Sequence, residues 1–247
     1  MDISKAKVSI YSRLRDKKFR EREGLFLVQG LKAVRDTLGK FSIEAIIIRK
    51  GECCPFDLPP STPLLEAKEN ELRKISTLDN LPDVIAVYRI PQHDFSLFAE
   101  KGKWTLVLDG VQDPGNLGTI VRLAHWFGVK DIFCSRETVD LYNPKVVQST
   151  MGSIAAVRVS YCKLEDLFEK NPDTPVYGMM LKGTNIFEAE GLKPGFIVMG
   201  SEGHGHSLLT ASKITLGLTI PPSNPLSHPD SLNVAVATAI TLSRLIQ

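Results

Sequence analysis

Three short stretches of this 247-residue chain carry residue types that could do chemistry. The first runs Asp109-Gly110-Val111-Gln112-Asp113-Pro114-Gly115-Asn116-Leu117-Gly118-Thr119-Ile120-Val121-Arg122. It follows the apolar run 104–108 and leads into an amphipathic helix, with Asn116 predicted as its cap. Arg122 then sits inside that helix, where few soluble α/β cores place a cation without a use for it. The second stretch is the apolar run 196–199 followed by Gly200-Ser201-Glu202-Gly203-His204-Gly205-His206. Glycines there let a ligand approach the backbone and leave N–H groups free to donate. Glu202 either orients a substrate or an Arg, or is a surface carboxylate on a turn. The third is Ile220-Pro221, a Pro-rich segment 222–230, and Ser231-Leu232-Asn233 opening an Ala-rich helix. Ser231 reads as an N-cap, which leaves Asn233 unexplained.

Several chemistries are disfavoured. Gly200-x-x-Gly203-x-Gly205 is not the G-x-G-x-x-G order of a dinucleotide site, so a nicotinamide dehydrogenase is a poor reading. No G-x-S-x-G elbow occurs at these loops, which argues against a serine hydrolase. His204 and His206, with His228 distant, do not make a metal constellation. Cys53, Cys54, Cys134 and Cys162 lack zinc-ligand spacing and read as incidental thiols of a reduced, cytoplasmic protein. No run is long and apolar enough to span a membrane, and the first residues do not read as a signal peptide.

The loops must be positioned by alternating strands and helices. The pattern predicts a helix over 4–22 capped by Ser4, a strand at 25–28, a helix from Gly30 to Leu38, strands at 43–48 and 84–88, and a helix at 66–76. A polar segment, 89–103, with Pro91, His93, Asp94 and Gly102, reads as the boundary. A second series follows: strands at 104–108, 131–134, 154–159, 175–180, 195–199 and 214–220. Helices are expected at 116–127, from Asn143-Pro144, around 164–170, and from about 231 to 246. Such alternation predicts a mostly parallel sheet with helices on both faces. Loops at strand ends are where α/β domains place their sites.

Formal net charge is +2, but residues 1–40 hold 11 Lys+Arg against 5 Asp+Glu, a local excess of +6. That is a modest footprint for a polyanion, or a solvated helix face.

Together, Asn116-x-Gly118-x-x-x-Arg122, Gly200-Ser201-Glu202-Gly203 and Ile220-Pro221 leading to Ser231-Leu232-Asn233-Val234 resemble, in order, the three motifs of the SpoU/TrmH branch of the SPOUT RNA methyltransferases. Lys17-Lys18-Phe19-Arg20 and Gly24–Gly30 resemble that family's substrate-binding domain more softly, with Gln29 where an acidic residue is expected. The resemblance implies an α/β fold: a small RNA-binding α/β domain over 1–95, then a methyltransferase domain over 103–247 whose parallel sheet ends in a trefoil knot. It implies S-adenosylmethionine as methyl donor, an RNA ribose 2′-hydroxyl as acceptor with ribosomal favoured over transfer RNA, and a homodimer. It implies no metal. Arg122, Asn116, Glu202, Ser231 and Asn233 become the expected catalytic group. Met199, Gly200, Ile220, Leu232 and Asn233 become the expected cofactor contacts, and Lys17, Lys18 and Arg20 the expected RNA contacts. Because a guanidinium stays protonated, Arg122 is read either as a base that loses its proton on desolvation or as a cation that stabilises the alkoxide; the second is favoured on pKa grounds.

Two departures stand out. The segment 222–230 is about three residues longer and richer in Pro than the family pattern, and Gln148 stands where a basic residue is common. The first of these motivates an alternative, a non-catalytic RNA-binding protein that retains the fold.

Overall fold

A computed structural model describes residues 1–92, 97–224 and 226–246. His93 and Asp94 of the expected boundary, and Pro225 of the third stretch, lie outside them. In chain order the elements are α1 (Lys5–Arg13), α2 (Lys17–Glu23), β1 (Leu25–Gln29), α3 (Leu31–Thr37), β2 (Ile43–Arg49), β3 (Leu64–Ala67), α4 (Glu69–Ile75) and β4 (Val84–Arg89). There follow β5 (Thr105–Asp109), α5 (Pro114–Trp126), β6 (Asp131–Cys134), α6 (Pro144–Thr150), β7 (Arg158–Tyr161), α7 (Leu164–Lys170), β8 (Val176–Asn185), β9 (Phe196–Gly200), α8 (Leu208–Lys213), β10 (Leu216–Thr219) and α9 (Val234–Leu245).

These fold into two compact units, one from Met1–His93 with Asp140–Ala155, the other from Asp94–Val139 with Ala156–Gln247. In the first, the strand order is β1-β4-β2-β3, with β4 antiparallel to both neighbours and β2 parallel to β3. Alternate residues Leu25, Leu27, Ala45, Ile47, Ile85 and Val87 pack with Tyr11 and Leu14 near the end of α1 and with Leu72 and Ile75 of α4. On the opposite face Phe26 stacks with Phe41, Tyr88 and Tyr142. Both faces are thus covered, which is why these strands read as unbroken apolar runs.

Asp140–Ala155, which sequence boundaries assign to the second domain, belongs with the first unit. Tyr142 lies 4.7 Å from Phe26, and α6 packs on β1. Gly152, at φ +90°, lies so close to Asp36 that a Cβ there would fall 2.6 Å from the Asp36 Cβ. Asn143 caps α6 as its Asn-Pro signature predicts, accepting from the Lys145 N–H at 2.9 Å.

The helix expected over 4–22 is two helices with a break at Leu14–Asp16. The break is held by Arg20, and here the structure corrects the sequence reading of Arg20 as an RNA contact. Its side chain is 2% exposed. Nη1 donates to the Leu14 and Arg15 carbonyls at 2.8 Å each, and Nε and Nη2 donate to Asp140 Oδ2 at 3.0 and 2.6 Å. The guanidinium therefore satisfies carbonyls left over at the end of α1 and has no face to offer a phosphate. Lys17 and Lys18 remain exposed, Lys17 in an ion pair with Glu21 at 3.8 Å.

The second unit is a six-stranded, wholly parallel sheet in the order β10-β8-β9-β5-β6-β7. The chain runs outward from β5 through β6 and β7, then crosses to the far side for β8, β9 and β10. The switch point therefore falls between β5 and β9, where α/β sheets bind ligands at strand C-terminal ends. Some expected bounds shift. The helix expected at 66–76 is β3 followed by α4, the strand expected at 154–159 forms at 158–161 after a 3₁₀ turn at Ser153–Ala155, and α8 was not expected. The α/β class, with a small unit preceding a parallel sheet, is the class the sequence implies. Among the described residues no helix is long and apolar enough to cross a membrane.

Candidate active site

The site is built where β5 and β9 end side by side, with Asp109 paired in register to Gly200. The Asp109 carboxylate, 7% exposed, accepts the Ser207 N–H at 2.8 Å and so ties the two loops together. After Asp109 the chain turns at Gly110 (φ +78°), whose N–H donates to Ser135 Oγ at 3.0 Å.

The cap of α5 is Asp113, not Asn116. Asp113 Oδ1 accepts the Asn116 N–H at 2.8 Å and Pro114 takes the first helical position, where its fixed φ and missing N–H cost nothing. This frees the Asn116 side chain. Its Nδ2 donates to Glu202 Oε1 at 2.8 Å, while its Oδ1 accepts from Asn233 Nδ2 at 2.9 Å. Asn233 Nδ2 also reaches Glu202 Oε1 at 3.0 Å, and the Val234 N–H meets the same oxygen at 3.3 Å. One carboxylate oxygen of the second stretch thus gathers donors from the other two. Since a carboxylate only accepts, Glu202 fixes which end of each Asn amide faces it.

Asn233 has a second task. Its Oδ1 accepts from the Ala235 and Val236 N–H groups at 3.0 and 3.2 Å, making it the N-cap of α9. The helix therefore begins at Val234, and Ser231, read from sequence as the cap, is exposed outside it. Arg122 lies six residues beyond Asn116 on α5, exposed, with no hydrogen bond or ion pair among the described residues. The structure thus joins Asn116, Glu202 and Asn233, and among the described residues no hydrogen bond or ion pair ties Arg122 or Ser231 to them.

The loop after β9 is a tight turn in which Ser201 and Gly205 exchange N–H···O bonds at 2.9 Å. A Cβ on Gly200 would lie 2.6–2.8 Å from Gly205 C and O and His206 N, all backbone atoms. Gly200→Ala is therefore expected to unseat the turn at a cost of about 1–3 kcal/mol. Hydrogen exchange at the Ser201 and Gly205 amides should quicken by roughly tenfold or more; unchanged protection there would refute the close-packing argument. His206 closes the loop onto β8 through Nε2 and the Met179 carbonyl, 2.9 Å apart.

Among the expected cofactor contacts, Met199 is 2% exposed, so only its backbone could touch a ligand. Ile220 is half-buried against Tyr177, Ile186 and Leu218, and Leu232 is 47% exposed. Neither Ile220 nor Leu232 donates its backbone N–H to another described residue. Free amides beside apolar side chains fit a nucleoside-bearing cofactor read by the backbone. Sequence reasoning missed two features. One is Asp109, signalled only by its place at the strand end. The other is an excursion of β8, where β10 residues Gly217 and Leu218 pair with Gly178 and Thr184 and 179–183 are looped out. Gly178 and Gly183 mark its ends. Burial pushes the Cys134 thiol up, and the Cys162 thiol up to about 11, so neither is a nucleophile near neutral pH.

Comparison with known proteins matches this architecture. Residues 103–243 match the SpoU rRNA Methylase family, and residues 5–86 match the MRM3-like substrate binding domain. The chain is 28% identical over 243 residues to the Bacillus subtilis 23S rRNA (guanosine(2553)-2′-O)-methyltransferase RlmP, covering 97% of this chain and 95% of that one. Among solved structures, a TrmH-family protein from Porphyromonas gingivalis superposes with a TM-score of 0.88 at 34% identity, covering 99% and 98% of the two chains. An AdoMet-bound rRNA methyltransferase from Sinorhizobium meliloti superposes at 0.84 with 26% identity, covering 99% and 96%. The family implies a knot in the C-terminal part of the sheet unit. With its matched segment spanning the six parallel strands and all three loops, the chain belongs to the SpoU rRNA methylase family.

Proposed function

We propose that the chain is an S-adenosylmethionine-dependent RNA 2′-O-ribose methyltransferase acting on ribosomal RNA, in the cytoplasm and as a homodimer. The observation that carries it is the Asn116–Glu202–Asn233 network, which locks three distant loops at the switch point of the sheet. Intact capping by Asn233 despite the long Pro-rich segment argues against the non-catalytic alternative.

The donor supplies an electrophilic methyl group on a sulfonium. The protein must present a ribose hydroxyl in line with it and compensate the charge that develops as the hydroxyl proton passes to water. Arg122 supplies that compensation as a cation. Asn116, Glu202 and Asn233 act as positioning residues: they fix the start of α5, on which Arg122 is carried, against the loops after β9 and β10. Backbone groups at Gly200, Ile220 and Leu232, with Met199 behind them and Asn233 beside them, hold the donor, and Ser231 faces the acceptor. Lys17 and Lys18 contribute salt-sensitive, sequence-blind contacts to phosphates.

The test is methyl transfer from labelled S-adenosylmethionine to ribosomal and transfer RNA from a strain lacking the modification, with calorimetry of donor binding alongside. Ribose methylation of ribosomal RNA is expected. Donor binding without methylation of any RNA would favour a different acceptor, and no donor binding would favour the non-catalytic reading.

A further inference from the structure

Resting on the reading that RNA is the acceptor, we propose that Arg13 and Arg22, held together on the ring of Phe19, form an RNA phosphate contact on the N-terminal unit. Arg13 ends α1 and Arg22 lies in the last turn of α2, yet both guanidinium carbons lie over one half-buried ring, at 5.2 and 4.7 Å from its centroid. A cation at a helix C-terminus is favourable by itself, but that does not require two of them to converge. Each contact with the ring is attractive, and the two like charges oppose one another. An anion spanning both relieves that opposition, and a planar guanidinium matches phosphate through its edge.

The surroundings leave these groups available. Arg13 is exposed and has no carboxylate partner among the described residues. Arg22 gives Nε and Nη2 to Glu23 Oε1 at 2.8 and 2.6 Å, which leaves Nη1 unspent. Arg15 is held by the Ser12 and Lys74 carbonyls, Lys17 pairs with Glu21, and Lys18 is exposed beside them. The chemistry fits the nucleic-acid backbone rather than a base edge: Phe19 serves as a pedestal for the cations. With Arg20 consumed by Asp140 and Arg15 by two carbonyls, this pair supplies the forked donors that residues 13–22 offer at the surface.

The experiment measures binding of unmodified ribosomal RNA, transcribed in vitro, to the full chain as salt is raised. Each phosphate contact contributes about 0.7–0.9 to the slope of log affinity against log salt. Arg13→Gln with Arg22→Gln is expected to lower that slope by about 1.4–1.8, and Phe19→Leu, which keeps both charges, to weaken binding several-fold. Lys32→Gln with Lys40→Gln removes the same charge from exposed positions without a ring and should lower the slope by less than half as much. Circular dichroism establishes that each variant is folded. A slope for the Arg13/Arg22 variant equal to that of the Lys32/Lys40 variant overturns the assignment while leaving the enzymatic reading in place. Absence of RNA binding by the wild type overturns both.

Discussion

Arg122→Ala is expected to cut methyl transfer by at least about 10²- to 10³-fold, the usual cost of removing one group that stabilises developing charge, while donor affinity changes little. The side chain is exposed and spends its donors on no described residue, so its removal breaks no structural bond. It lies on a helix whose start is fixed twice, by the Asp113 cap and by the Asn116 amide on Glu202. The helix should therefore survive the change, and calorimetry with S-adenosylmethionine should return a wild-type affinity. Arg122→Lys retains the charge but replaces a planar fork with a compact ammonium, and partial activity is expected. The pair of variants also separates the two chemical roles. A cation that stabilises an alkoxide is partly replaceable by lysine with an unshifted pH–rate profile, whereas a base would move the limb of the profile by the difference between the two groups. Turnover by Arg122→Ala within twofold of wild type would remove Arg122 from the mechanism.

What the sequence made legible, and what it hid, divides by the range of the interactions. The three loops could be read because each is announced locally: an apolar run, then Gly or Pro, then a capping residue. Asn143-Pro144 capped α6 as read for the same reason. The mistakes at Asn116 and Ser231 are competitions between neighbouring caps. Asp113 followed by Pro114 wins over Asn116 because the Pro ring presets the first helical turn, and Asn233 wins over Ser231 because its amide can cap α9 and bond Glu202 at once. In both cases the displaced reading hid the more useful fact, that an Asn side chain was free to join the network. The looped-out stretch of β8 depends on its register with β10, which no local pattern encodes. Gln29 stands where the family resemblance leads one to expect an acidic residue. In the fold its Oε1 accepts the Thr77 N–H at 3.1 Å and its Nε2 donates to Thr77 Oγ1 at 2.7 Å, a pairing that an amide completes from both ends.

Arg20 is the clearest case of a residue whose type suggested one role and whose surroundings impose another, and its substitution should have the largest effect on stability. Arg20→Ala leaves the Leu14 and Arg15 carbonyls and Asp140 Oδ2 without their donor in a site where Arg20 is 2% and Asp140 17% exposed. Breaking a buried pair by removing one partner costs about 3–5 kcal/mol, mostly because the remaining charge is stranded. That cost falls on the first unit alone, since both residues belong to it. Both tryptophans, Trp104 and Trp126, lie in the other unit, so tryptophan fluorescence would miss the loss. Hydrogen exchange is the appropriate readout: the amides of β1, β2 and β4 should lose protection by that free energy while those of β5 and β9 keep theirs. Arg20→Lys supplies charge but cannot serve two carbonyls and a carboxylate together, so an intermediate loss is expected. Arg20→Ala with Asp140→Ala should recover part of the loss, because the stranded carboxylate is gone, while the Leu14 and Arg15 carbonyls and the Tyr142 N–H, which donates to Asp140 Oδ1 at 3.1 Å, stay unpaired. If Arg20→Ala instead left exchange in the first unit unchanged and lowered only RNA affinity, the guanidinium would be a surface contact and the phosphate reading of Arg20 would return.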